Sequence, residues 1–150
     1  MKRILFSLYL SLIAILTFAT DGFTVADVFT DHMVLQRNAI IKIWGEAQNG
    51  SLVEVRFAGQ LQKVKAIQGK WQVTLKTGEA GGPYKLEVIN GNNKVSFQDV
   101  LIGDVWLAGG QSNMEFALRR VKDAQTEISL ADYPQIRYYK VPRKFYPEQE

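Results

Sequence analysis

Short runs of alternating apolar and polar residues, bounded by glycine or an Asn-Gly pair, constrain the fold of this chain most strongly. The runs occupy residues 39–44, 52–57, 62–67, 71–75, 84–89 and 94–97. Successive side chains of a strand point to opposite faces, so each run has one apolar face to bury. Short strands at this spacing predict an antiparallel β-sandwich-like domain, which we assign to residues 20–98. We expect all three tryptophans to pack in apolar strand cores.

The pattern changes near residue 99. Residues 100–108 are almost continuously apolar, which is typical of a strand buried on both faces in a parallel sheet. After two glycines, the spacing predicts a helix from residue 112 to about 121, a second helical piece over 124–130, and a strand over 136–141. This order indicates a strand-helix-strand unit. We therefore expect a mixed β and α/β protein in which residues 99–150 open a larger α/β domain that this chain leaves incomplete.

The first 19 residues have the three-part pattern of a secretory signal peptide. A basic start is followed by an apolar run, and small residues at Thr17 and Ala19 precede a cleavage point. A membrane anchor is the alternative, but the run is shorter than a spanning helix requires. We expect an exported protein, periplasmic or secreted, that contacts a membrane only during export.

Composition excludes several classes of function. The sequence contains no cysteine, which excludes disulfides, thiolate catalysis and cysteine-ligated metals. The acidic residues are scattered without ligand spacing, so we expect no metal and no cofactor. Apart from Lys2 and Arg3, there are 16 basic and 15 acidic residues with no basic stripe along the sequence, so we do not expect nucleic-acid binding.

A serine lies on a glycine turn between the predicted strand and helix. Ser112 is flanked by the supporting residues Gly109, Gly110, Gln111 and Asn113. A serine there would lie at the carboxyl edge of a sheet, where ligands bind, and helix N–H groups could stabilise an oxyanion. The spacing to Glu115 also fits a capping box, in which the serine only caps the helix. Spacing alone leaves both interpretations open.

Several ordered motifs resemble the sialate O-acetylesterases, a family of SGNH-type serine esterases. Residues 104–115 (DVWLAGGQSNME) are similar to the first catalytic block of that family, and residues 29–37 (FTDHMVLQR) resemble its N-terminal signature. Further matches cover residues 43–45 (IWG), 69–71 (GKW), 81–84 (GGPY), 132–137 (DYPQIR) and 141–143 (VPR). The resemblance covers nearly the whole chain that follows the predicted signal peptide.

The resemblance implies a carbohydrate O-acetylesterase. Ser112 would be the nucleophile and a backbone oxyanion donor, and the substrate would be an O-acetylated sugar, such as a sialic acid, or another small molecule or glycan. The acid and base of the family come from an Asp-x-x-His block that this sequence lacks, so we expect little activity from the chain alone. His32, the single histidine, is expected to be a surface or structural residue. A non-catalytic β-sandwich binding module, or a truncated relic of an esterase, remains the alternative.

Overall fold

The protein folds into two β-sheets followed by short helical segments. A computed structural model describes residues 22–110 and 112–142, so the predicted signal peptide lies outside the described residues. The strands are β1 (Thr24–Val25), β2 (Val34–Gln36), β3 (Ile40–Glu46), β4 (Leu52–Phe57), β5 (Gln60–Lys65), β6 (Lys70–Lys76), β7 (Gly81–Asn90) and β8 (Asn93–Gly103). Two 3₁₀ turns, Ser112–Glu115 and Leu118–Arg120, precede the helix α1 (Ala124–Leu130).

The described residues form two β-sheets, as the alternating strand pattern predicts, and all strand pairs but one are antiparallel. One sheet has the order β1-β3-β6, and the other has the order β2-β8-β7-β4-β5. Each of these strand pairs is antiparallel except β2 with β8, which is parallel. The parallel pair brings residues 34–36 alongside residues 101–103, so the N-terminal part of the sandwich lies against the chain that leads to Ser112.

The core lies between the sheets and follows the alternation of the sequence. On β6, residues at alternate positions are buried while their neighbours are exposed, and β4 follows the same alternation except that Glu54 is half-buried. Sheets that face each other bury such alternating side chains in a common core. The buried apolar residues are Phe29, Leu35, Ile43, Ala47, Val53, Val55, Phe57, Ala66, Trp71, Val73, Leu75, Leu86, Val88, Val100 and Ile102. The expectation for the tryptophans is therefore correct for Trp71 and wrong for Trp44 and Trp106, which are exposed.

The predicted strand over residues 100–108 is only partly correct. The first residues of this run extend β8, which pairs with β7 and β2 and continues through the expected domain boundary at 98/99. The strand ends at Gly103, and Trp106 and Leu107 are 87% and 97% exposed. A continuous apolar run forms a buried strand only where strands and helices cover it. No strand among the described residues pairs with the chain beyond Gly103.

The predicted strand-helix-strand unit is absent from the described residues. The helix expected from residue 112 to about 121 is replaced by the two 3₁₀ turns, and residues 136–141 form no strand. The second helical piece is confirmed as α1. An amphipathic helix obtains most of its stability by packing its apolar face. Here the apolar residues Met114, Leu118 and Val121 are exposed, so that contribution is missing.

Candidate functional site

The serine turn lies at the start of the first 3₁₀ segment. Ser112 is the first residue of this segment and is exposed. Gly109 and Gly110 precede it outside any strand, Asn113 follows it, and Gln111 lies outside the described residues. A Cβ atom at Gly110 would lie 2.8 Å from Cγ of Met114, so glycine permits the close approach of the turn to that side chain.

An open depression surrounds Ser112. It has a volume of about 1140 Å³ and is lined by Gly110, Ser112, Met114, Glu115, Lys140, Val141 and Pro142. Lys140, which is 28 positions later in the chain, thus lines the same depression as the candidate nucleophile. A hydroxyl on such a surface is accessible to an ester substrate, and a nearby ammonium group favours negative charge. Gly109 and Asn113 do not line this depression.

Polar side chains of residues 36–37 hold the chain between β8 and the serine turn. The side-chain oxygen Oε1 of Gln36 accepts a hydrogen bond from the backbone N–H of Val105 at 2.8 Å. The guanidinium Nε of Arg37 lies 2.9 Å from Oδ1 of Asp104. The backbone N–H of Arg37 also donates to the carbonyl of Gly103 at 2.8 Å. These contacts fix the direction in which the chain leaves the sandwich.

A second cluster, formed by His32, Asp99 and Arg137, connects the sandwich to the chain beyond α1. Nδ1 of His32 lies 2.7 Å from Oδ2 of Asp99, and Nη2 of Arg137 lies 2.9 Å from the same oxygen. Nη1 of Arg137 donates hydrogen bonds to the backbone carbonyls of both His32 and Asp99. His32 and Asp99 have left-handed backbones (φ 62° and 53°), which histidine and aspartate tolerate better than most residues.

The charges in this cluster favour an ionised Asp99. The hydrogen bond from His32, followed by that from Arg137, holds the pKa of Asp99 below its ordinary value of 3.8. The Arg137 side chain is 19% exposed, whereas that of His32 is 70% exposed. Neither His32 nor Asp99 lines the depression around Ser112. The structure therefore places the single histidine in a structural contact and not beside the candidate nucleophile.

Within residues 22–110 and 112–142, no group of three or more histidine, aspartate or glutamate side chains is placed to hold a metal ion. Across the same ranges, no helix has the length and apolar character required to cross a membrane.

Sequence reasoning located the serine turn but missed the contacts that support it. Arg137, Asp99, Gln36 and Arg37 were not predicted as site residues. All except Asp99 lie in the quoted motifs 29–37 and 132–137, and Asp99 immediately precedes the apolar run. The polar residues among the apolar residues of these two motifs were the sequence signal that could have indicated such contacts. The contacts indicate that these motifs connect the sandwich to the segment that carries Ser112.

Comparison with known proteins identifies related esterases. The human (Homo sapiens) sialate O-acetylesterase is 35% identical over 133 residues, which cover 80% of this chain and 25% of the human protein. The rat (Rattus norvegicus) sialate O-acetylesterase is 36% identical over 135 residues, which cover 80% of this chain and 24% of the rat protein. A solved carbohydrate acetylesterase from Xanthomonas citri is similar with a TM-score of 0.72 and 39% identity, over 75% of this chain and 26% of that one. No family model matches. The chain spans about a quarter of the length of these relatives.

Proposed function

Since this chain is homologous to the sialate O-acetylesterases over the segment it shares with them, we propose that it belongs to an enzyme that hydrolyses acetyl esters on sugars. The observation that carries the proposal is the position of the serine turn within the match. A match that covers 80% of a 150-residue chain includes residue 112 wherever it begins. The segment shared with these esterases therefore contains the candidate nucleophile.

The proposed reaction begins with attack of the Ser112 hydroxyl on the acetyl carbonyl. The oxygen of the tetrahedral intermediate would accept a hydrogen bond from the backbone N–H of Ser112, and loss of the sugar alcohol would leave an acetyl-enzyme. Water would then release acetate and restore the serine. Gly109, Gly110, Gln111 and Asn113 would shape the turn. The exposed hydroxyl and the open depression support this assignment, because an acetylated sugar can reach the serine.

We propose that the general base is supplied by a residue outside this 150-residue sequence. Ser112 needs a base to accept its proton, and such assistance contributes about 10²–10⁴-fold in rate. The single histidine of the sequence, His32, is bonded to Asp99 through Nδ1 and does not line the depression. Because His32 is not placed to accept the proton of Ser112, we expect the 150-residue chain alone to release acetate poorly. The relatives are about four times as long as this chain.

We also propose the substrate class and location. The substrate would be an O-acetylated sugar or glycan, with sialic acid suggested by the similarity to the human and rat sialate O-acetylesterases. The protein would be exported to the periplasm or secreted, which rests on the signal-peptide pattern of residues 1–19.

The experiment measures acetate release by the native protein from O-acetylated sialic acid and from an acetylated neutral sugar. Ser112→Ala should lower the rate by about 10⁴-fold or more, because the acetyl-enzyme cannot form. Ser129→Ala is the matched control, since Ser129 is exposed and, among the described residues, its hydroxyl bonds only to the Thr126 carbonyl of its own helix; its rate should match the unmodified protein. Equal rates for Ser112→Ala and the unmodified protein would contradict the role of Ser112. No release from either sugar would favour the binding-module alternative.

A further inference from the structure

The outer face of the five-stranded sheet carries an unusual concentration of positive charge. The register places alternate residues of β4, β5, β7 and the first part of β8 on this face, which points away from the core. We call this outer surface the basic face, and its cations are Arg56, Lys63, Lys65, Lys85 and Lys94. Its anions are Glu54 and Glu87. The basic face therefore has a net charge of +3.

The rest of the described chain is nearly neutral. Outside this face, residues 22–110 and 112–142 contain nine lysines and arginines against ten aspartates and glutamates. The excess of positive charge in the described residues is thus confined to one sheet face. Charges concentrated in this way raise the local potential and attract ligands of opposite sign.

Each carboxylate holds two cations in position. Oε1 of Glu87 lies 2.7 Å from Nζ of Lys85 and 2.6 Å from Nζ of Lys94. Glu54 contacts Lys63 at 2.6 Å and Arg56 at 3.3 Å. The hydrogen bonds from the two lysines lower the pKa of Glu87 to about 2, and the hydrogen bond from Lys63 is the largest cause that lowers the pKa of Glu54. Both carboxylates therefore stay ionised and keep their cations ordered at neutral pH.

The cations are the outer layer of this network. The two glutamate side chains are 17–21% exposed, whereas the four cations that they hold are 46–54% exposed. Lys65 forms no ion pair within the described part of the chain. A ligand that approaches this face meets ordered cations first, and holding side chains in place beforehand reduces the entropy lost on binding.

We propose that the basic face binds an anionic polysaccharide, one that carries a carboxylate on successive sugars. An extended polymer fits a sheet face on which cations recur along and across the strands. The face presents no aromatic side chain for stacking nucleic-acid bases or for anchoring at a membrane interface, and no amphipathic helix; its exposed apolar residues are Leu52 and Leu61. The inference that the ligand is a polyanion rests on the charge distribution alone. The choice of a polysaccharide among polyanions rests on the proposed function.

The test measures binding of polygalacturonate, with neutral dextran as the uncharged probe, to the native protein carrying Ser112→Ala. Neither polymer carries an acetyl ester, so binding is measured independently of catalysis and of the proposed nucleophile. The face variant is Lys63→Gln/Lys65→Gln/Lys94→Gln. The matched control is Lys42→Gln/Lys70→Gln/Lys76→Gln, which removes the same charge from exposed positions on the three-stranded sheet.

We expect binding of polygalacturonate but not dextran, weakening as NaCl rises from about 50 to about 500 mM. The face variant should bind about tenfold more weakly than the Ser112→Ala protein, and the control variant should bind like the Ser112→Ala protein. Equal weakening by both variants would overturn the proposal, because only net charge would then matter. Absence of polymer binding by the Ser112→Ala protein would overturn it too. Binding of anionic phospholipid vesicles that polygalacturonate does not displace would assign the face to a membrane instead.

Discussion

Replacing Arg137 with methionine removes the guanidinium group that joins the chain beyond α1 to the sandwich. Methionine keeps an unbranched apolar stem of similar length, so the change mainly deletes polar contacts. Nη1 donates to the backbone carbonyls of His32 and Asp99, and Nη2 contacts the Asp99 carboxylate. The guanidinium side chain is 19% exposed, so solvent replaces these bonds only in part.

The expected loss of stability follows from the two carbonyl contacts. Because one nitrogen serves both carbonyls, we count them as a single hydrogen bond to a charged group, which contributes about 1.5–3 kcal/mol. The ion pair with Asp99 is left out of this figure, since its carboxylate is about a third exposed and solvent screens it. Urea unfolding, followed by tryptophan fluorescence, to which buried Trp71 contributes, should therefore give a free energy of unfolding about 1.5–3 kcal/mol lower for Arg137→Met.

Arg120→Met provides the matched control. Arg120 is exposed in the second 3₁₀ turn, and no ion pair of its side chain occurs in the described ranges. Its replacement should change the free energy of unfolding by less than about 0.5 kcal/mol. If Arg137→Met is equally mild, the cluster does not hold the serine-bearing segment to the sandwich, and the reasoning is refuted.

Three further changes test the sandwich itself. Thr77→Val should lower the free energy of unfolding by about 1–3 kcal/mol in urea, because the buried Thr77 hydroxyl bonds two backbone segments; no loss would refute this. Gly45→Ala should lower it by about 1–3 kcal/mol, since a Cβ there would lie 2.0 Å from the Thr24 carbonyl oxygen; Gly78→Ala, with open space around it, is the control. The pKa of Glu87 is lowered from 4.5 to about 2 in the folded state, so its stabilisation is present above pH 4.5 and lost as pH falls towards 2. The stability difference from Glu87→Gln should shrink over that window, and a constant difference would contradict the assignment.

The sandwich could be predicted because its strands carry their own boundaries. The prediction for β4, residues 52–57, agrees with the observed Leu52–Phe57, since alternation marks the buried face and turn residues mark both ends. The apolar run over 100–108 lacked such markers. An apolar run indicates burial but does not specify which strand it pairs with. The first residues of the run over 100–108 pair with β7 and β2. Beyond Gly103, burial depends on neighbours that the described residues do not supply.

The site was predictable only in part, for a related reason. Ser112 stands out because the turn between an apolar run and a helical pattern is a local feature. The contact of Arg137 with the carbonyl of His32 joins residues 105 positions apart, and such a contact leaves no periodic trace in the sequence. The helix expected after Ser112 would also depend on packing of its apolar residues. Those residues are exposed, and the helix does not form in the described residues.

Labelling with a fluorophosphonate probe tests the proposed nucleophile most directly. The native protein would be treated with the probe, its acetate release measured, and the modified residue located by mass spectrometry. The account predicts a single label on Ser112, loss of acetate release in proportion to labelling, and no labelling of Ser112→Ala. Acetate release that persists with Ser112 fully labelled, or inactivation with the label on another residue, would contradict it.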